Sequence, residues 1–308
     1  QTSDGAIVMG ALPAEQSHLI PYCGNFAAHG LVAAYRETGT KRYLEAAKAW
    51  MGWYEAHQNS DGTIYDFNGS PGAWKPTGDY DSTDSYAATY LELVSATDLA
   101  APDPAWLPAR KFAVRQAVAA ICLTQQPQGM TNAKPGWPVM YLMDNTETLA
   151  GLRAAEGIGR RLGDLALEQQ VHNMANAMEQ AIPRELWDES RQAFNVGLEA
   201  KGRIVSSTAN WYPYVMANLM AVAWMPTTER QRRLLTQLKK RFQAEIPAAV
   251  CKEDDLDHLV WWGLAARSVG DQALWGDVVT KAADFDKQMS QFANPALLGH
   301  LCRICVQR

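Results

Sequence analysis

The sequence alternates between two kinds of helical segment, and this alternation constrains the fold more than any other feature. Residues 211–224 are apolar nearly all round, which predicts a helix buried on every side. Residues 229–245 carry charged side chains on one face, which predicts an amphipathic helix on the outside. Between such segments a glycine followed by Thr or Asp ends one helix and begins the next, at Gly39, Gly163 and Gly270. Links this short join antiparallel neighbours, so the repeating unit is a helical hairpin.

The pattern predicts six buried helices, at about 23–37, 82–96, 145–161, 209–224, 256–268 and 295–306. It predicts five outer helices, at about 41–57, 106–123, 164–182, 228–246 and 272–288. Buried helices that alternate with outer ones indicate an all-α fold, an (α/α)6 toroid or barrel of helical hairpins. One closed ring of this size would use residues 1–308 as a single domain.

Composition excludes several classes of protein. The chain has 308 residues, with 28 Lys and Arg against 33 Asp and Glu, and a formal net charge of −5. This excess of acid argues against nucleic acid and anionic membranes as partners, because both are bound by clustered Lys and Arg. No apolar run approaches the ~18–20 residues that a membrane-spanning helix needs. With 47% hydrophobic and 20% charged residues, the chain is expected to fold as an ordinary globular protein.

The start of the sequence and its cysteines bear on location and on metal binding. The sequence begins at Gln1, as it would after removal of a signal peptide or after other trimming; in the first case a secreted or periplasmic location is expected. Five scattered cysteines do not fit a disulfide framework and are expected to be free and buried: Cys23, Cys122, Cys251, Cys302 and Cys305. The C-x-x-C at the end lacks two further ligands at a suitable spacing, so no metal and no cofactor is expected.

Three long connections between hairpins are rich in turn residues, at 59–81, 126–143 and 188–208. Short β-hairpins are expected in them; in the first, Asp61 and Gly62 predict a turn and residues 63–65 a short strand. Each connection leads into the N-terminal end of a buried helix. The three should therefore cluster on one face of the ring and shape a cleft, and functional residues concentrate on such loops.

Acidic and aromatic motifs lie in the first third of the chain. They are Asp4-Gly5-Ala6-Ile7, Pro21-Tyr22, Asp61-Gly62-Thr63-Ile64-Tyr65-Asp66 and Asp79-Tyr80-Asp81-Ser82-Thr83-Asp84-Ser85-Tyr86. With the helical hairpins, which cover nearly the whole chain, these motifs resemble the six-hairpin glycosidase superfamily of carbohydrate-active enzymes. The resemblance implies a carbohydrate cleft at the N-terminal ends of the inner helices, where acidic residues of active relatives hydrolyse glycosidic bonds. It does not identify a subfamily.

Two other toroid families resemble the chain less. Complement-like thioester domains carry Cys-Gly-Glu-Gln where this chain has Cys23-Gly24-Asn25-Phe26, so no thioester can form here. Sugar epimerases of this fold use paired histidines in the cleft. His18, His29 and His258 lie near predicted inner-helix starts or loops, but none belongs to a recognisable motif.

Carboxyl groups are the candidate catalytic residues. Glycoside hydrolysis needs one protonated carboxyl that donates to the leaving oxygen and a second that activates water or attacks directly. The candidates lie at inner-helix starts or in the first connection: Asp66, Asp81, Asp84, Asp144 and Glu147. Three Asp within residues 79–84 exceed what one helix cap requires, and crowded carboxylates raise one another's pKa.

The same acidic residues have alternative roles. Asp and Glu cap helices and favour their N-terminal ends, and clustered carboxylates also bind calcium. The acidic group at 254–257 is expected to cap a helix or to face solvent.

Aromatic residues are the candidate sugar contacts, because the chain has 11 Trp and 11 Tyr against 7 Phe. The apolar C–H faces of sugars stack on aromatic rings, while sugar hydroxyls bond to carboxylates. The predicted substrate-binding residues lie in the long connections and at inner-helix starts: Tyr65, Trp74, Asp79, Tyr80, Tyr86, Trp137, Trp211 and Tyr212.

The sequence therefore predicts a glycoside hydrolase that cleaves an oligo- or polysaccharide by carboxylate general acid/base catalysis. Two alternatives stay open. A polysaccharide lyase on this fold would need Tyr or His as base and Arg or Asn to neutralise a uronate, which a cleft rich in Asp would repel. A non-catalytic carbohydrate-binding toroid would keep the aromatic residues without two carboxylates at hydrolytic spacing.

Overall fold

The apolar segments form an inner ring in the computed structural model, which describes residues 1–10, 17–247, 253–283 and 294–306. The inner helices are α1 (Pro21–Thr38), α3 (Thr83–Ala100), α5 (Leu142–Leu162), α7 (Met216–Trp224), α9 (Glu253–Val269) and α11 (Pro295–Cys305). The outer helices are α2 (Lys41–His57), α4 (Lys111–Thr124), α6 (Leu165–Leu186), α8 (Glu229–Arg241) and α10 (Gln272–Ala283).

The inner helices close into a ring. Helix α1 contacts α3, α3 contacts α5, and the contacts continue through α7 and α9 to α11, which packs back against α1. Each inner helix up to α9 also packs against the outer helix that follows it in the chain. Because each hairpin reverses the chain direction, the N-terminal ends of the inner helices lie on one face of the ring. The predicted all-α toroid is confirmed.

Glycines allow the inner helices to approach backbone to backbone. A Cβ atom on Gly299 of α11 would lie 2.0 Å from the carbonyl oxygen of Phe26 on α1. A Cβ atom on Gly151 of α5 would lie 2.5 Å from the Cα atom of Ala88 on α3. Both distances are far below van der Waals contact, so no larger residue fits at this separation of the helices.

Several helix boundaries in the described part of the chain differ from the predicted ones, and three differ by five residues or more: the starts of α7 and α4, and the end of α8, which is Arg241 rather than residue 246. Helix α7 begins at Met216 rather than near residue 209, because the chain first forms a π-helical turn over Trp211–Val215. Tyr212 is not helical within that turn, as expected for a residue that precedes a proline. Helix α4 begins at Lys111 rather than at residue 106, after a short 3₁₀ turn. The predicted end of the last outer helix, at residue 288, lies outside the described residues.

Short antiparallel strands occur in the long connections, as predicted. Their bounds are β1 (Ser17–Leu19), β2 (Phe67–Gly69), β3 (Lys75–Pro76), β4 (Met140–Tyr141), β5 (Trp187–Asp188), β6 (Ala193–Phe194), β7 (Gly197–Glu199) and β8 (Gly202–Ile204). They form the sheets β1-β2-β3, β4-β7-β8 and β5-β6. The strand expected at residues 63–65 is wrong: Asp61 Oδ1 accepts hydrogen bonds from the backbone N (3.0 Å) and Oγ1 (2.7 Å) of Thr63, which makes Thr63 part of the turn.

The sequence also predicts free, buried cysteines and no membrane-spanning helix. Cys23, Cys122, Cys302 and Cys305 are free, but only Cys23 is buried, and Cys122 and Cys305 are exposed. Cys251 lies outside the described residues. Within the described ranges, no helix has the length and apolarity that a membrane crossing requires.

Gly299→Ala should lower the free energy of unfolding by about 1–3 kcal/mol, the usual effect of overpacking a tight interior. The added methyl group would collide with the carbonyl of Phe26. Gly276→Ala on α10 is the matched control, because nothing lies within 4 Å of its new Cβ atom. The control should leave stability unchanged or raise it by about 0.5–1 kcal/mol, as alanine does in a helix. Urea unfolding measures both, and equal stability of the two variants would contradict the close contact of α1 with α11.

Candidate functional site

Carboxyl groups from two inner-helix starts meet at the N-terminal face of the ring. Asp84 lies in the first turn of α3, and Asp144 and Glu147 lie in the first turns of α5. The charges of Asp84, Glu147 and Asp81 all raise the pKa of Asp144, and the charge of Asp81 also raises the pKa of Asp66. The structure therefore brings the five predicted acidic residues into one electrostatic cluster, hereafter the carboxyl site.

Asp84 is fully buried, and both of its oxygens are bonded within the protein. Its Oδ1 atom accepts hydrogen bonds from Ser82 Oγ (2.8 Å) and Ser85 N (2.9 Å), and its Oδ2 atom accepts one from Thr131 Oγ1 (2.5 Å). Burial raises the pKa of Asp84 to about 6. These bonds fasten the start of α3 to the second long connection, so Asp84 supports the site from within and has no surface for a substrate.

Glu147 lies beneath the site and is only 1% exposed. Burial raises its pKa to about 8, so the side chain holds its proton at neutral pH. The hydroxyl of Tyr22 donates a 2.7 Å hydrogen bond to Glu147 Oε1. Tyr22 was not among the predicted site residues, although its place in the first turn of an inner helix, after Pro21, could have indicated it.

Asp144 combines a raised pKa with access to solvent. Burial, and then the charges of Asp84, Glu147 and Asp81, hold the pKa of Asp144 well above its usual range. The residue is nevertheless partly exposed. Its side chain makes no hydrogen bond to another described side chain and no ion pair with a described cation. A carboxyl that keeps its proton and can reach a ligand meets the requirement for a general acid.

Asp81 and Asp66 lie at the mouth of the carboxyl site. Asp81 is exposed, and within the described residues its carboxylate has no cationic partner. The hydroxyl of Tyr86 donates a 2.9 Å hydrogen bond to Asp66 Oδ1 and accepts a longer one, 3.5 Å, from the backbone N of Asp81. Tyr86 thus joins the two, and Asp66 is half-buried with a pKa that burial raises.

Tyrosine rings form one side of the cleft. Tyr65 stacks on Tyr80 with ring centroids 5.8 Å apart, and Tyr22 stacks on Tyr86 at 5.9 Å. Tyr80 and Tyr86 are 6.4 Å apart, so the four rings are continuous. Tyr65 and Tyr80 are partly exposed, whereas Tyr86 is buried. Tyr65 and Tyr80 can therefore contact a sugar directly, and Tyr86 contributes through Asp66.

Asp79 lies at the rim and is paired with a cation. Lys134 Nζ donates 2.8 Å hydrogen bonds to Asp79 Oδ1 and to the carbonyl oxygen of Tyr80. The bond from Lys134 lowers the pKa of Asp79, so this carboxylate is ionised and its charge is paired with that of Lys134. The pair fastens the first connection to the second.

Exposed aromatic side chains also lie near the carboxyl site. Tyr212 is 63% exposed, and the charges of Asp144 and Asp81, after burial, raise its pKa, which places its hydroxyl near both. Trp137 is 51% exposed, and its indole donates a 3.3 Å hydrogen bond to the hydroxyl of Tyr141. Both are placed to contact a sugar beside Asp144.

Trp211 is bound by Asp257, for which the sequence predicted a different role. Its Nε1 atom donates a 3.0 Å hydrogen bond to Asp257 Oδ2, and its ring stacks on His258 at 3.7 Å. Asp257 Oδ1 accepts a second bond, 3.0 Å, from Trp261 Nε1. Asp257 was expected to cap a helix or to face solvent; instead it is half-buried and binds two indoles.

Trp74 lies away from the carboxyl site. Its Nε1 atom donates a 2.9 Å hydrogen bond to Asp4 Oδ2, and its ring meets Trp53 of α2 edge to face at 6.2 Å. Asp4 Oδ2 also accepts a 2.9 Å bond from the backbone N of Gly72. The predicted sugar contact of Trp74 thus falls in a groove beside α2, and the first Asp-Gly motif serves to anchor the start of the chain.

The three histidines considered for epimerase chemistry lie in three separate places. His18 on β1 faces Asn68 at 2.9 Å, His258 lies against Trp211, and His29 lines a cavity at the opposite end of α1. For the calcium alternative, the described part of the chain contains no group of three His, Cys, Asp or Glu residues arranged to hold a metal ion.

No protein family and no curated protein sequence matches the chain. Solved structures match its fold. A mannosylglycerate hydrolase from Thermus thermophilus in complex with glucose has a TM-score of 0.71 at 11% identity, over 99% of this chain and 97% of that one. An inactive variant of an α-1,6-mannanase from Salegentibacter in complex with α-1,6-mannotriose has a TM-score of 0.62 at 9% identity, over 98% and 94%.

A D-mannose isomerase has a TM-score of 0.63 at 10% identity, over 99% of this chain and 92% of that one. At these identities the likeness shows the fold and not the chemistry, since one fold supports several reactions. The comparisons thus confirm the fold that the resemblance to the six-hairpin glycosidase superfamily implies, and they identify no subfamily.

The raised pKa of Glu147 predicts that folding stability falls as the pH rises. Between the ordinary pKa of 4.5 and the folded pKa of about 8, the folded protein holds a proton that the unfolded chain has released. The contribution of Glu147 to stability should therefore be full below about pH 4.5 and decline towards pH 8, by about 1.4 kcal/mol for each pH unit in which only the folded form is protonated. Glu147→Gln keeps an acceptor for Tyr22 but cannot ionise, so the stability of this variant should decline less as the pH rises.

Urea unfolding between pH 5 and 8.5 measures this slope. Glu45→Gln, an exposed carboxyl on α2, is the matched control and should decline as the parent does. The assignment is wrong if Glu147→Gln and the parent show the same dependence on pH.

Proposed function

We propose that the protein is a glycoside hydrolase in which Asp144 is the general acid and Asp81 is the second catalytic carboxylate. The observation that supports this most is the pair itself. Burial and neighbouring charges hold the pKa of Asp144 well above its usual range, and the residue is partly exposed and within electrostatic reach of Asp81, which is exposed and without a described cation. Hydrolysis of a glycosidic bond needs one carboxyl that keeps its proton and a second that is ionised.

Asp144 and Asp81 lie in different surroundings, which favour different roles for the two carboxyls. Asp144 lies over the buried groups of Asp84 and Glu147, and loss of its proton would place a second negative charge beside them. Asp81, by contrast, is exposed to solvent. In the proposed reaction Asp144 donates its proton to the leaving oxygen, and Asp81 activates water or attacks the anomeric carbon. Asp66, held by Tyr86, is the alternative for the second role.

A carbohydrate is the substrate class that best fits the rest of the cleft. Tyr65 and Tyr80, together with Trp137 and Tyr212, present aromatic faces to the space beside the carboxyls. Such faces stack on the C–H faces of sugars. Two structures of the same fold, the mannosylglycerate hydrolase and the mannanase, are complexes with glucose and mannotriose, which is consistent with this class of ligand.

A lyase is less favoured because its uronate substrate needs a cation near the acidic proton. In the described part of the cleft, Lys134 is paired with Asp79 and with the carbonyl of Tyr80. Non-catalytic sugar binding would need the aromatic rings but has no use for a strongly desolvated carboxyl at the cleft surface. These two alternatives give different outcomes in the test below.

Asp144→Asn and Asp81→Asn should each lower kcat/KM on a glycan that the parent cleaves by about 10²-fold or more, the contribution typical of general acid–base catalysis. Asp144→Asn should lose far less activity on an aryl glycoside with a good leaving group, which needs no proton. Asp277→Asn on the outer helix α10, also exposed, is the control and should keep full activity.

The outcomes separate the candidate functions. Full activity of both variants would show that the site is misplaced. Unsaturated products that absorb in the ultraviolet would identify a lyase. Binding of oligosaccharides by the parent without cleavage would identify a carbohydrate-binding protein.

A further inference from the structure

A cavity opens at the face opposite the carboxyl site, where the inner helices end. Its volume is about 650 Å³, and the last turns of α1, α7, α9 and α11 contribute to its lining. A second cavity of about 260 Å³ shares Trp224 and Arg303 with it and reaches Glu92 inside the ring. The larger space alone is of the size that binds a small organic ligand, about 300–1,000 Å³.

Cationic side chains surround the larger cavity. The arginines that line it are Arg36, Arg153, Arg267 and Arg303. No Asp or Glu is among the described residues of its lining, although the whole chain carries a net charge of −5. Arg153 is paired with Glu156 and Glu179. Arg36 has no ion pair with a described residue, and its charge reaches His29 in the same cavity.

Arg303 is half-buried where the two cavities meet. Its guanidinium lies 5.8 Å from the ring of Trp224 and 5.9 Å from that of Phe26. Within the described residues its one hydrogen-bond contact is a 3.4 Å approach to His300 Nδ1, and no carboxylate lies at ion-pair distance. Burial lowers the pKa of Arg303, while the more distant charges of Glu92 and Glu147 oppose that shift. A guanidinium on a cavity wall with most of its donors unused can pair with an anion that enters the cavity.

Two further polar atoms beside Arg303 are buried without a hydrogen bond in the described structure. They are Nε1 of Trp224 and Oε1 of Glu92. The indole is close enough to Glu92 to lower its pKa, but burial dominates and raises that pKa to about 7. Buried polar groups usually have a partner, and a ligand in the cavity could supply one here.

We propose that this cavity binds a small organic anion whose phosphate or carboxylate group is held by Arg303 and Arg36. The planar guanidinium matches both groups with paired hydrogen bonds. The apolar part of the ligand lies against Val32, Leu149 and Leu264. Arginines in the last turns of helices also interact favourably with the C-terminal ends of those helices. That role does not require a cavity beside the guanidinium.

Isothermal titration calorimetry at constant ionic strength, set with sodium chloride, tests this. The probes are citrate for the carboxylate, glucose 6-phosphate for the phosphate, and glucose as the neutral analogue. At least one anion should bind saturably, and Arg36→Gln and Arg303→Gln should each weaken it about tenfold or more. Arg233→Gln, an exposed arginine on α8, is the control and should bind as the parent does.

Arg36 is exposed at the end of α1, so Arg36→Gln should fold as the parent does. If Arg303→Gln does not fold, Arg36→Gln alone still decides the test. The proposal is overturned if neither anion binds saturably, if Arg36→Gln leaves the affinity unchanged, or if Arg233→Gln loses as much. Citrate binding alone would identify a carboxylate site, and glucose 6-phosphate binding alone a phosphate site.

Discussion

Close backbone contact between neighbouring inner helices is the constraint on which the rest of the structure depends. At Gly299 against Phe26, and at Gly151 against Ala88, no side chain separates the two backbones. The ring can therefore close with six short inner helices, and their N-terminal ends converge on one face. Wider spacing would separate the first turns of α3 and α5, which supply most of the carboxyl site.

This convergence determines the protonation of the acidic residues. Asp84 and Glu147 lie below the surface, where burial raises the pKa of both. Asp144 lies above them and is affected by their charges, whereas Asp81 extends to solvent. Depth in the ring thus gives groups of the same chemical type different surroundings, which is the basis of the roles proposed for Asp144 and Asp81. The opposite face has the reverse character, because helix C-terminal ends and arginines meet there.

Helical periodicity, and the glycines that end helices, predicted most of the fold. They identified the inner and outer helices and the face on which the carboxyls would meet, because both follow from local pattern and from the alternation of chain direction. The start of α7 was missed because Tyr212 precedes Pro213 and leaves the helical conformation. The strand predicted at residues 63–65 is absent because the side chain of Asp61 forms a turn with Thr63.

Individual roles within the site were less predictable. Residue type alone did not distinguish Asp84, which is bonded on both oxygens, from Asp144, which is free of such bonds. Nor did it show that Trp74 lies against Asp4, or that Asp257 holds Trp211, because these contacts join segments 70 and 46 residues apart. Such distinctions depend on depth and on long-range contacts, which sequence pattern does not report.

The most direct test of the central claim is the protonation state of Asp144. Carbon-13 labelling of aspartate side chains and an NMR titration of the carboxyl signals, in the parent and in Asp144→Asn, would measure it. We expect one signal that is still protonated at pH 7 in the parent and is absent from the variant. If the signal that is absent from Asp144→Asn completes its titration below about pH 5 in the parent, as ordinary carboxyls do, Asp144 is ionised at neutral pH and cannot be the proton donor.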